Sequence, residues 1–310
     1  MKTKSDIYVD LDELLKLQHR ARHIGSSISS VTQNMLQGNR PSKVHGRGGA
    51  FDQIRDYIAG DDVRNIDWNV TARMGKPSVR VFNEERETPV LLLIDQSSSL
   101  FFATKKQMKS VVSAKVAAYL LWMAFNHKRP CGGVIVDDET TSLFRPRTHQ
   151  SHVHHFLCQL VESNQRLSNI SRPNHSHGFV EGLRQLNRIV SKDSIVVLIS
   201  DFVGMNNESW SLIEQLRIKT NLVATPIYDG VIKDLPNEGQ FLARYTDIQA
   251  ELDFSTSMSR DQVVKGSQGR LQDLIQKFSE LAIPVLRFST YQSVEEQLIS
   301  GLYIDGGPHD

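Results

Sequence analysis

Two aliphatic runs in this chain stop at an aspartate, and together they constrain its fold more than any other feature. Val90-Leu91-Leu92-Leu93-Ile94 ends at Asp95 and is followed by Gln96-Ser97-Ser98-Ser99; Ile195-Val196-Val197-Leu198-Ile199 ends at Ser200-Asp201. Apolar residues in succession, without alternation, mark a strand buried on both faces, as in a parallel sheet covered by helices. Ligands in open α/β sheets collect where such strands emerge at their carboxyl ends. If the two strands are neighbours or nearly so, Asp95 and Asp201 share one edge, where two carboxylates either need a cation or raise one another's pKa. Asp95, Ser97 and Ser99 fall at alternate positions, so a bending loop can aim three oxygens at one point, a set that suits a hard cation such as Mg²⁺. Alone, an Asp-x-Ser-x-Ser string is more often a polar turn; the second strand ending in Asp is what raises it to a candidate site.

The rest of the chain alternates strands and helices around these two runs. Helical spacing of Met108, Val111, Val112, Lys115, Val116, Tyr119 and Leu120 predicts a long helix over 106–125, mostly buried against a sheet. Short strands are predicted at 132–136 and 141–145, joined by the acidic turn Asp137-Asp138-Glu139, with a helix over 151–162. That helix and its approach carry His149, His152, His154 and His155, whose spacing is a poor match to a zinc site. Further helices are predicted from 178 onward and over 208–218, 261–282 and 294–302, with strands at 222–228 and 285–289 and a small hairpin over 242–254. The predicted fold is therefore α/β: a Rossmann-like, mostly parallel central sheet flanked by helices, with an N-terminal extension and small β excursions.

The chain divides into three predicted segments: 1–45, an N-terminal helix and basic loop; 46–88, a segment packed on the main domain; and 89–304, the main domain. Asp10 with Glu13 ahead of Leu14, Leu15 and Leu17 predicts a capping box opening a helix that runs to 23 or 24. From 14 to 51 no acidic residue occurs, while Lys16, Arg20, Arg22, Arg40, Lys43 and Arg47 are cationic. No aromatic residue is interleaved there for base stacking, so a solvated face is favoured and nucleic acid is not expected as a partner. Gly46-Arg47-Gly48-Gly49 lacks a preceding strand and the dinucleotide-loop spacing, and is predicted as a flexible turn. Asp61, Asp62, Arg64, Asp67, Arg73 and Arg80 are predicted to form an ion-pair network around an anchoring Trp68, and 79–84 an edge strand.

Composition removes several classes of function. Lys+Arg 36 against Asp+Glu 35 gives a formal charge of +1, so global charge points to no polyanionic partner. Cys131 and Cys158 have neither disulfide-framework nor zinc spacing, which fits a reducing cytoplasm. No apolar run reaches the length of a membrane span or a signal segment, so a soluble, cytoplasmic protein is expected.

Gly60-Asp61-Asp62-Val63-Arg64-Asn65-Ile66-Asp67-Trp68, then Ala72-Arg73, Val79-Arg80, Glu84-Glu85-Arg86 and Asp95-Gln96-Ser97-Ser98-Ser99, resembles the bacterial domain-of-unknown-function family numbered fifty-eight over about residues 40 to 300. Members of that family look like von Willebrand factor A domains. The resemblance implies a metal-ion-dependent adhesion site, in which an Asp-x-Ser-x-Ser loop, a second-loop Thr and a third-loop Asp hold Mg²⁺ or Mn²⁺. Asp95, Ser97 and Ser99 match the first loop and Asp201 the third. The second loop departs from the pattern: His175-Ser176-His177 offers Ser176 as its hydroxyl. The family also resembles components encoded beside MoxR-type AAA+ ATPases, which implies an adaptor in the chaperone-like maturation of protein complexes. The expected function is thus non-enzymatic: an interaction module that takes a partner's carboxylate. The alternative is a metal-dependent phosphatase or hydrolase with Asp95 as nucleophile, against which stand the lack of a second Asp two residues on and of an assignable lysine.

Overall fold

The computed structural model describes residues 4–27, 45–83, 88–104, 106–167, 175–229, 240–245, 248–253 and 257–299. They fall into two compact units, one of Met1–Gly38 with Thr88–Asp310 and the other of Asn39–Glu87.

In the large unit β3 (Val90–Asp95), β4 (Cys131–Val136), β5 (Thr141–Arg147), β6 (Ile195–Ser200), β7 (Asn221–Tyr228) and β10 (Phe288–Ser289) form one sheet in the order β10-β7-β6-β3-β4-β5. Every pairing is parallel except β4 with β5. The predicted α/β architecture is therefore present. From β3 the chain runs outward to β4, and from β6 it runs the other way to β7, so the neighbours β3 and β6 flank the point where strand order reverses. Crevices at such a reversal are where open α/β sheets bind ligands.

Side chains along β3 alternate between two cores, because successive residues of a strand face opposite sides of the sheet. Val90, Leu92 and Ile94 join one cluster with Trp122, Phe156, Leu14 and Leu298. Leu91 and Leu93 join the other with Leu183, Ile213 and Phe278. One face is covered by the helices Leu11–Ser27, Lys109–Asn126, Gln150–Arg166 and Val294–Ile299, the other by His175–Ile189, Asn207–Lys219 and Ser257–Glu280. All five apolar residues of β3 are at most 3% exposed, which explains why the run shows no polar alternation. Helix and sheet approach closely at Gly182, where a Cβ would lie 2.4 Å from Val136 Cγ2.

The N-terminal helix belongs to this core. Leu14, Leu17, Ala21 and Ile24 are buried, and the Trp122 indole N–H donates to the Leu14 carbonyl at 2.9 Å. The capping box is replaced by a different arrangement. Asp10 Oδ1 accepts from the Asp12 N–H, while Glu13 reaches out to Lys115 Nζ at 2.7 Å. A lysine inside an otherwise buried helix needs that carboxylate more than the helix end does. One charge of the cationic run is neutralised as well, since Arg20 pairs with Glu295, while Arg22 donates to the neutral Asn126 side chain.

In the small unit β1 (His45–Asp56) pairs antiparallel with β2 (Ser78–Asn83). Gly46–Gly49 accordingly lies within a strand, not a flexible turn; the register slips between His45 and Ala50, and glycines in a strand mark such bulges. Asp67 caps the helix Trp68–Met74 through the Asn69 and Val70 N–H groups and holds Arg80 at 2.7 Å; Asp61 pairs with Arg55. The Asp67–Arg80 and Asp61–Arg55 ion pairs share no member, and Trp68 is 69% exposed. The hairpin of β8 (Gln240–Tyr245) and β9 (Ile248–Asp253) matches the predicted excursion, and only Phe288–Ser289 of the predicted 285–289 strand is regular, with a bridge at Val285. Among the described residues no helix is long and apolar enough to cross a membrane.

Candidate metal centre

The register that pairs Ile94 with Ile199 sets Asp95 level with the end of β6. Asp95 Oδ2 accepts from Ser200 Oγ at 2.6 Å and Oδ1 from the Ser97 N–H at 2.9 Å. Ser97 Oγ lies 3.1 Å from Ser99 Oγ, and Ser99 Oγ donates to Asp201 Oδ1 at 3.1 Å. Four of the predicted ligands therefore meet in one cluster: Asp95, Ser97, Ser99 and Asp201. Ser176 falls in the first turn of the helix His175–Ile189, and its side chain lies outside the described residues. Gly178, two residues on, is close to the end of β4, since a Cβ there would lie 3.0 Å from the Asp137 carbonyl oxygen.

The loop between Asp95 and Ser99 is pinned from behind. Gln96 is fully buried; its N–H donates to the Val136 carbonyl, its Nε2 to the Ser110 carbonyl, and its Oε1 accepts from Asn164 Nδ2. Asn164 Oδ1 in turn accepts from the Val9 N–H at 2.9 Å. Ser113 Oγ donates to the Asp95 carbonyl, and the Ser98 N–H donates to Asp138 Oδ2. Replacing Asn164 by Leu strands the Val9 N–H and Gln96 Oε1 in a dry interior. Urea unfolding should show a loss of roughly 2–5 kcal/mol, one desolvation penalty per stranded group. An unchanged midpoint would mean that the network does not brace the loop.

The residue after Asp201 is also held in place. Phe202 adopts φ 54, uncommon for a bulky side chain. Its N–H donates to Ser200 Oγ, and its ring packs against Phe179 and Phe278. That fixed backbone aims the Asp201 side chain back toward Ser99.

Electrostatically the two carboxylates differ. Burial pushes the Asp95 carboxyl up to about 6, the Asp201 charge adds to the rise, and the Ser200 and Ser97 hydrogen bonds oppose it. Burial raises Asp201 too, but the Lys109 ammonium 2.5 Å from its Oδ2, together with the Val203 N–H, outweighs this and holds it below the ordinary carboxylate range. Lys109 and Ser200 were not among the predicted site residues. Lys109 carries one signal in the sequence, a lysine opening a helix that is otherwise buried. Ser200 precedes Asp201 directly, yet nothing local says that it turns toward β3.

The donor set fits a hard cation. Two carboxylates and two hydroxyls are all oxygen, and neighbouring oxygens held octahedrally at 2.0–2.1 Å from Mg²⁺ are about 3 Å apart, close to the separations along Ser97, Ser99 and Asp201. Asp137 belongs to a different arrangement: it pairs with Arg166 and accepts from the Glu139 and Thr140 N–H groups. His152 contacts the Cys131 carbonyl, while His154 packs on Trp122 and His155 on Phe144, so these rings serve the core around β4 and β5. Among the described residues no three His, Cys, Asp or Glu side chains gather as a metal site, and the β3–β6 cluster itself has two carboxylates completed by hydroxyls.

The chain is 24% identical over 282 residues to the uncharacterized proteins Rv1480 of Mycobacterium tuberculosis (strain ATCC 25618 / H37Rv) and Mb1516 of Mycobacterium bovis, covering 91% of this chain and 87% of each relative. Solved structures that match include the conserved hypothetical protein BatB from Bacteroides thetaiotaomicron (10% identity, TM-score 0.34, 63% of this chain and 98% of that one). The SpRpn10 VWA domain also matches (16% identity, TM-score 0.29, 47% and 76%). Residues 53–268, spanning most of both units, match the family described as "Protein of unknown function DUF58". The chain belongs to the DUF58 family.

Proposed function

We propose that the protein is a non-enzymatic interaction module whose β3–β6 edge holds Mg²⁺ or Mn²⁺ and captures a carboxylate of a protein partner, as an adaptor working with a MoxR-type AAA+ ATPase. One observation carries this reading: the unbroken oxygen chain Ser97, Ser99, Asp201 beside a buried Asp95, at the point where strand order reverses. Asp95 and Asp201 supply the charge, Ser97 and Ser99 supply neutral oxygens, and Ser176 is the candidate hydroxyl from the second loop. These residues would hold the cation, which would supply a Lewis-acidic contact for an acidic side chain of the partner. Gln96 and Asn164 keep the loop in register, and Ser200 orients Asp95.

The hydrolase alternative gains a lysine in Lys109, but that ammonium faces Asp201 and not Asp95, and Asp95 is 5% exposed with both carboxylate oxygens already accepting hydrogen bonds. A nucleophile needs a free oxygen aimed at its substrate.

Isothermal titration with Mn²⁺ and capture of a MoxR-type ATPase with and without EDTA test the proposal. Binding of the metal by wild type, its loss in Asp201→Ala, and retention of the ATPase only when metal is present are expected. Capture that ignores both EDTA and Asp201→Ala would overturn it. Metal-dependent turnover of p-nitrophenyl phosphate that Asp95→Asn abolishes would instead establish the hydrolase.

A further inference from the structure

The Lys109 ammonium sits where a cation is costly. It is the first residue of the helix Lys109–Asn126, at the positive end of that helix's dipole, and its side chain is 12% exposed. What holds it there is Asp201, whose Oδ2 is 2.5 Å away while Oδ1 faces Ser99. The same carboxylate thus presents one oxygen to the candidate metal cluster and the other to an ammonium. Arg270 also bears electrostatically on Asp201.

From this arrangement we infer that Lys109 is a built-in competitor of the divalent cation, an internal counter-charge that occupies Asp201 in the metal-free state and has to give way when metal enters. The inference rests on the metal reading above and deepens it, since it names what sets the affinity of that site. Two carboxylates with one ammonium carry a net charge of −1, and with a dication alone they are neutral. With both cations present the cluster is at +1, beside a helix N-terminus that also repels positive charge. The favourable exchange is therefore ammonium out, metal in. A four-carbon stem close to the surface allows it, because a lysine can carry its charge to water while its methylenes stay packed. Metal binding is then coupled to the start of the helix Lys109–Asn126 and to the 98–104 loop before it, where the Lys109 N–H donates to the Phe102 carbonyl and Phe102 is 54% exposed.

The test is direct Mn²⁺ titration of wild type and Lys109→Met, followed by calorimetry and by the loss of free-Mn²⁺ paramagnetic resonance signal, with Tm read in EDTA and in Mn²⁺. Lys109→Met should bind Mn²⁺ at least about tenfold more tightly, about 1.4 kcal/mol. It should also melt lower than wild type in EDTA and gain a larger Tm increment from Mn²⁺. Lys109→Gln, which keeps a hydrogen-bond donor for Asp201 without the charge, serves if the Met variant fails to fold, and should show the same tightening. Equal or weaker binding by the variant, with wild type binding Mn²⁺, overturns the lysine's role and leaves the metal site standing. Absence of Mn²⁺ binding in wild type and in both variants overturns the lysine inference together with the metal reading, whereas binding by a variant but not by wild type supports both.

Discussion

Replacing Asp95 by Asn is expected to stabilise the metal-free protein while removing its response to divalent cations. The carboxyl is pushed up to about 6 from an ordinary value of 3.8 because burial and the Asp201 charge oppose its ionisation. Below the ordinary value it is protonated in both the folded and unfolded states and contributes nothing. Between about pH 4 and 6 the unfolded chain loses the proton first, so stability falls as pH rises, and above about 6 the full penalty is present. That penalty is on the order of 2–3 kcal/mol at pH 7. Asparagine removes the charge and keeps an oxygen for the Ser97 N–H. In EDTA at pH 7 its Tm should exceed that of wild type by several degrees, and the difference should shrink as pH is lowered toward 4. Asp201 does not obscure this window, because its carboxyl is held below the ordinary range and loses its stabilising contact only at more acid pH. His152, whose burial lowers its pKa, contributes stability that is lost as pH falls, but it does so equally in both proteins and cancels in the comparison. With Mg²⁺ the order should reverse, as wild type gains stability by mass action and Asp95→Asn does not. An Asn variant that melts below wild type in EDTA would contradict the electrostatic account of Asp95; one whose Tm still rises with Mg²⁺ would contradict its place in the metal centre.

The second large effect is expected at Gly133, in the middle of β4. Its φ is 149, and a Cβ there would lie 2.0 Å from the Leu92 carbonyl oxygen of the neighbouring strand. No side-chain rotation relieves that contact, because both partners are backbone. Gly133→Ala must therefore pry β4 from β3, the strand that carries Asp95. A loss of more than about 4 kcal/mol, in the range reserved for severe core or backbone disruption, is expected. Insoluble expression, or a urea midpoint far below wild type, is the corresponding observation. Gly269→Ala is the control: it lies in the helix Ser257–Glu280 with nothing within 4 Å of its Cβ, so it should be neutral or stabilising by up to about 1 kcal/mol. If the two substitutions behave alike, the close approach of β3 and β4 is not what requires a glycine at 133.

Much of this was legible before any coordinate. Unbroken apolar runs are a local property of strands buried on both faces, so β3 and β6 could be read directly, as could the carboxylates at their ends. The alternation of helices and strands then implied a parallel sheet. Boundaries were less legible. The helix over 106–125 begins at Lys109, and the one over 151–162 continues to Arg166, because packing on the core extends or trims what propensity begins. In the small unit the glycines of 46–49 read as a turn because a bulged strand and a turn share the same composition; only the pairing with β2 distinguishes them. Asp10 and Glu13 matched a capping pattern, yet Glu13 pairs with Lys115, a residue 102 positions on in sequence that a local pattern cannot see.

The sequence by itself determined that two strands end in carboxylates with hydroxyls beside one of them, because burial and its abrupt end are written residue by residue. Only the tertiary structure decided that these strands are neighbours at the reversal of sheet order, that Ser200 turns onto Asp95, and that Lys109 reaches Asp201 from 92 positions away. Strand order and long-range ion pairs follow from how whole helices pack on the two faces of the sheet, and no window of local sequence carries that information.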